Sequence, residues 1–142
     1  MFDSGPSAPS ASPSSTAVLP FSPALLTRAE RMQLVANGEA SLAHPDGFDP
    51  EPVVRLVSPS LALAWLLTEM DPLGASELAF GLLDQGRGCA EVACVDLAEL
   101  ARRGGFRRDG RFRAVGPLST YLAVARRPTH APALQRDSQG SA

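Results

Sequence analysis

Carboxylates are the first residues in this chain whose type and spacing could do chemistry. Glu69 and Asp71 stand two apart in an apolar run that ends at Asp71-Pro72. On an extended strand that spacing puts both on one face. Two acids so placed can share proton-transfer work or hold a divalent cation. Two acids at a strand end are more commonly solvated, and no third ligand is placed by the sequence. A second pair, Asp96 and Glu99, has the spacing of a helix capping box, and that structural reading outweighs a catalytic one. Six arginines (Arg102, Arg103, Arg107, Arg108, Arg111 and Arg113) fall within twelve residues with Phe106 and Phe112 between them. Such a run can bind phosphates while an exposed ring stacks on a base. The plainer reading buries the two rings and uses the arginines to balance acids elsewhere, and a pI near 5.6 favours it.

The remaining reactive types are sparse. Cys89 and Cys94 are expected to stay as thiols, and with His44 and His130 far apart in sequence no metal site is expected. Gly86 and Gly88 lie in a loop, but the third glycine, following helix and downstream acid of a dinucleotide fingerprint are missing. No cofactor is expected. Arg108-Asp109 is the most function-like pair. Asp109 suits a turn completed by Gly110, whereas a turn has no need of a guanidinium. Arg108 is therefore expected to meet a carboxylate in the fold, Glu69 or Asp71, with an external anion or plain solvation as the alternatives.

The elements that would position these groups follow from local pattern. All thirteen basic residues are arginine. Residues 1–100 carry four of them against thirteen acids, net −9; residues 101–142 carry nine against two, net +7, recovering the overall −2. That asymmetry points to internal charge pairing or a basic patch. Residues 1–22, rich in Ser, Pro and Ala, read as a disordered tail, residues 23–126 as one domain, and residues 127–142 as a second tail. No apolar run approaches the roughly 20 residues of a membrane span, and no secretory signal is seen. A cytoplasmic setting is the default.

Ser22-Pro23 reads as a helix start, with Leu25, Ala29, Met32 and Ala36 on one stripe and Asn37-Gly38 as the stop. Four apolar runs bounded by breakers then read as a meander: 53–57, 64–70, 78–83 and 91–95. Within the second, Trp65, Leu67 and Glu69 are expected on one face, with Trp65 in or beside the core, and Ala64, Leu66, Thr68 and Met70 on the other. Gly81 marks a bulge or a close backbone approach. A helix capped by Asp96 and ended by Gly104-Gly105 follows, then a tight turn leading into a last strand up to Val115, then a helix over 118–125. The fold class is α+β: a small antiparallel meander of four to five strands, flanked by an N-terminal helix and one or two short C-terminal helices.

In that order the chain resembles the family known as domain of unknown function 2958. The resemblance rests on Ala36-Asn37-Gly38, Pro52-Val53-Val54-Arg55-Leu56 and Trp65-Leu66-Leu67-Thr68-Glu69-Met70-Asp71-Pro72. Downstream it rests on Ala79-Phe80-Gly81-Leu82 with Asp84, Leu97-Ala98-Glu99-Leu100, Arg108-Asp109 with Phe112, and Pro117-Leu118-Ser119-Thr120-Tyr121. It spans roughly residues 24–123. Ala93-Cys94 stands where the family typically has Gly-Tyr, and Arg107 where it usually has Glu. The resemblance implies an α+β domain of bacterial mobile elements such as plasmids, and no activity. Three functions are weighed: a non-catalytic accessory module with a protein partner, nucleic-acid contact through the arginines, and a carboxylate- or metal-dependent enzyme. The first is favoured.

Overall fold

The computed structural model describes residues 25–134. Helix α1 spans Arg28–Ala43, and its first turn is closed by a capping box: the Thr27 hydroxyl accepts from Glu30 N, and Glu30 Oε1 accepts from Thr27 N. Ser22 and Pro23, read as the start, lie outside the described residues, and the helix begins at Arg28. Asn37-Gly38 does not stop it. The pair sits inside the helix, on the side facing the sheet, and α1 runs on for more than a turn. The buried face differs accordingly. Leu34 and Gly38, four apart, turn inward, while Met32 is 63% exposed and Ala29 and Ala36 are open to solvent.

Strands β1 (Val54–Ser58), β2 (Leu63–Met70), β3 (Leu78–Asp84) and β4 (Ala90–Asp96) form the expected meander. A two-residue β5, Arg107–Arg108, joins β1, so the antiparallel sheet has the order β4-β3-β2-β1-β5. Each run is short, rich in β-branched and leucine side chains, and cut by Pro, Gly or Asp, as a small sheet requires. Helix α2 (Leu97–Arg103) leaves β4 directly. Asp96 accepts from Ala98 N and Glu99 N, and Gly104, at φ 75°, ends the helix. The second half of a capping box is not made there, because the Glu99 carboxylate turns to Arg102 and Arg103. Helix α3 (Leu118–Ala125) buries Leu118 and Ala125, with Tyr121 and Leu122 half-buried beside them.

The sheet separates two apolar layers. Against α1 and α2 lie Leu56, Trp65, Leu67, Met70 and Leu97. Against α3 lie Leu66 and Leu82. Met70 joins Trp65 and Leu67 rather than the opposite face because β2 bulges at Thr68, where the pairing steps from Leu67↔Gly81 to Glu69↔Phe80. One extra residue reverses the alternation beyond it. Across the bulge, Gly81 lets two backbones approach: a Cβ there would stand 2.0 Å from Leu66 O.

The bulge is also where α1 docks. Asn37 Nδ2 donates to Thr68 O at 2.9 Å, and a Cβ on Gly38 would lie 2.1 Å from Met70 O. Arg31 forks onto Glu77 at 3.0 and 2.6 Å, fixing the other side of the helix. The C-terminal part departs from expectation in one further respect. The short strand precedes the Asp109-Gly110 turn, and residues 111–115 form no strand, because Arg107 and Arg108 take the free edge of β1 and the turn then carries the chain off it.

Candidate functional site

The residues singled out in the sequence do not converge. Trp65 is buried at 6% exposure on the α1 side. Asp71 closes a turn: Oδ1 accepts from Leu73 N and Oδ2 from Ser76 Oγ, each at 3.0 Å. Those bonds, the Leu73 amide first, hold its carboxyl below the usual range. Glu69 behaves oppositely, since burial raises its carboxyl against the weaker pull of a Ser41 hydrogen bond. The pair is therefore not a shared acid site: Asp71 lies past the end of β2 and is already engaged. Among the described residues, no group of three or more His, Cys, Asp or Glu could hold a metal ion.

Arg108 finds neither Glu69 nor Asp71. Its fork closes on Glu30 of α1, with Nε 2.9 Å from both carboxylate oxygens and Nη2 2.7 Å from Oε2. Burial alone would raise the Glu30 carboxyl, but the bonds from Arg108 and the Thr27 amide outweigh it and leave it lowered. Asp109 is 5% exposed and does two jobs, accepting from Arg111 N and pairing with Arg55 at 3.3 Å. Arg102 and Arg103 pair with Glu99, and Arg113 donates to the carbonyls of Gly110 and Phe112. Arg107 and Arg111 are exposed. Four of the six arginines thus divide among several partners, and Phe112 leans on Tyr121 with ring centroids 6.1 Å apart.

A polar cluster that sequence reasoning passed over lies on the α3 side of the sheet. Arg55 and Asp84 project from β1 and β3 at 9% and 6% exposure. Arg55 reaches Asp109 and the carbonyl of Ala133. Asp84 accepts from Gly86 N at 3.0 Å and meets His130 Nε2 at 2.6 Å. His130 O in turn accepts from Arg87 N at 2.8 Å. These bonds strap residues 126–134, read from sequence largely as tail, across the sheet face. Gly86 and Gly88, both at positive φ, give the strap room: Cβ atoms there would stand 3.3 Å from Pro132 Cδ and 3.0 Å from Arg126 O. The glycine loop, which lacks a dinucleotide fingerprint, is the seat of this strap. One signal was legible: Arg55 amid the apolar neighbours Val54, Leu56 and Val57 demands a buried acceptor.

Between sheet, α3 and strap lies a cavity of about 250 Å³. Toward the other end of the same sheet face, α3 no longer covers the strands. There Leu78 and Val92 are exposed, Cys94 is open and Phe80 half-covered, and a shallow hollow of about 280 Å³ is lined by Glu69, Leu78, Phe80 and Cys94. Phe80 pairs with Cys94 and Leu82 with Val92, so this uncovered patch runs to β4. Among the described residues β4 is bonded on one side only. Cys89 and Cys94 are free thiols, and no helix among the described residues is long and apolar enough to cross a membrane.

A model of the family described as "Protein of unknown function (DUF2958)" matches residues 25–130. No curated protein and no solved structure matches the chain.

Proposed function

We propose that this chain, which belongs to the DUF2958 family because the match spans well over half of it, is a non-catalytic interaction module that takes an extended segment of a protein partner along β4. The observation that carries the reading is the β4 edge itself. Seven residues long, it offers backbone donors and acceptors on its outer side, free of proline. An open edge of that length is a template for strand addition. Leu78, Phe80 and Val92 beside it give an added strand somewhere to bury alternate apolar side chains. Glu69, Asp71 and Asp96 lie toward one end of the sheet and Glu91 toward the other end of β4, so a segment of alternating apolar and basic residues fits best.

A non-catalytic role is supported by what the acids already do. Asp71 and Asp109 close turns, Asp96 caps α2, and Glu99 and Glu30 hold arginines. Arg102, Arg103, Arg108 and Arg113 are likewise engaged, which favours charge balance over nucleic-acid binding. A bacterial, cytoplasmic setting on plasmids or integrative elements belongs to the same proposal.

The test is site-specific photocrosslinking in the cells that carry the chain. A photoreactive residue at Val92, on the edge, is expected to yield one discrete protein adduct, and the same residue at the exposed Met32 of α1 none. Equal labelling from both positions, or no adduct from Val92, would refute the reading.

A further inference from the structure

The cavity between the sheet, α3 and the strap is distinct from the β4 edge. Its floor is Ala64 and Leu66, its aromatic wall Phe112 and Tyr121, and its polar rim Asp84 and His130. The two rings are tilted 53° to one another, shaping a slot rather than a sphere. A mostly apolar hollow with a few convergent polar groups is what small-ligand sites look like, and this one is near the lower end of their size range. A one- or two-ring molecule fits; a dinucleotide does not.

The polar groups narrow the chemistry. The charge of Arg55 is met by Asp109, and its guanidinium also donates to Ala133 O. A ligand phosphate would compete with those partners. Asp84 has accepted one bond at Oδ1, from Gly86 N, and one at Oδ2, from His130. A carboxylate has about four lone-pair sites, so acceptor capacity remains. His130 Nε2 lies 2.6 Å from Asp84 Oδ2 and holds that carboxylate at the cavity rim. The Asp84 carboxylate is therefore the acceptor that the rim offers a ligand. It suits a ligand that brings N–H groups in the plane of a ring.

From this geometry we infer that the cavity binds a planar amino-substituted heteroaromatic ring, of the aminopurine or aminopyrimidine class, stacked beside Phe112 and Tyr121 with its amino edge toward Asp84 and His130.

The test uses the full chain and backbone-amide NMR titrations with adenine and 2-aminopyrimidine, with benzoate as the acceptor-only comparator. Both amino heterocycles are expected to shift the amides of Leu66, Gly86 and Tyr121, and benzoate is expected to leave them unmoved. Asp84→Asn should weaken adenine binding about tenfold or more, the value of a hydrogen bond to a charged partner. Because that change also loosens the strap, a second variant keeps the test independent of folding. Val124→Phe, at a half-buried position of α3 lining the cavity, fills the slot without touching Asp84 or His130. It should abolish the shifts while the melting temperature stays put. Silence from both heterocycles at millimolar concentration, equal binding of benzoate, shifts confined to another surface, or undiminished binding by a folded Val124→Phe protein would each overturn the inference.

Discussion

Gly38→Ala is the sharpest test of how α1 sits on the sheet. Inside a helix this change ordinarily stabilises by about 1 kcal/mol, because glycine forfeits more backbone entropy. Here the added methyl would stand 2.1 Å from Met70 O, where real Cβ contacts essentially never fall below 3.0 Å. Both sides of that contact are backbone, so no side chain can swing away. The helix must retreat by about 1 Å to relieve the repulsion. Retreat stretches the 2.9 Å bond from Asn37 to Thr68 O, worth about 1 kcal/mol, and loosens the fully buried Leu34. Overpacking of this kind costs about 1–3 kcal/mol. Strain plus the weakened bond, less the propensity gain, leaves a net loss of about 1–3 kcal/mol. For a folded region of this size each kcal/mol lowers Tm by about 4–8 °C. Urea and thermal melts of Gly38→Ala measure the loss directly, with Gly47→Ala, whose Cβ meets nothing within 4 Å, as the comparator. A Gly38→Ala protein as stable as the native chain, or more so, would refute the docking geometry.

Other perturbations follow from the same structure. Arg108→Lys should cost about 1 kcal/mol, since an ammonium cannot reproduce a fork on Glu30; chemical melts at neutral pH measure it, and no change would mean the pair is solvated. Glu30 and Glu69 should respond to pH with opposite signs. The folded pKa of Glu30 is lowered, so its contribution is fully present above the ordinary value near 4.5 and is lost as pH falls through the folded value. Glu30→Gln therefore destabilises at pH 7 and converges on the native chain in acid. The folded pKa of Glu69 is raised, so its charge is a cost above that pKa which disappears below the ordinary value. Glu69→Gln accordingly stabilises at pH 7, and melts across pH 3–7 should show the two variants approaching the native curve from opposite sides. Trp65→Ala should cost about 3–5 kcal/mol, and the native indole, 6% exposed, should emit at short wavelength; emission typical of water would contradict its burial.

Much of this protein was legible one segment at a time. The four strands of the meander, the Asp96 cap of α2 and the span of α3 follow from short-range rules: apolar runs cut by breakers, a carboxylate before a helix, a stripe at 3.6-residue spacing. Those rules are satisfied by neighbours in sequence, so the sequence alone decides them. The tertiary structure decided whatever depends on which distant group arrives. Asn37-Gly38 looked like a helix stop because its conformational preferences allow one; contact with the bulge on β2 uses the same two residues for a hydrogen bond and a close approach. The Arg108 partner, Glu30, lies 78 residues away, where spacing says nothing about distance in space. The same holds for Asp84 and His130, 46 apart, and for Asp49, which accepts from Ser119 N at the start of α3, 70 residues on. A guanidinium in a strand guarantees that an acceptor exists, because an unpaired buried charge is too costly. Only the topology that brings β5, α1 and the strap to β1 and β3 says which acceptor it is.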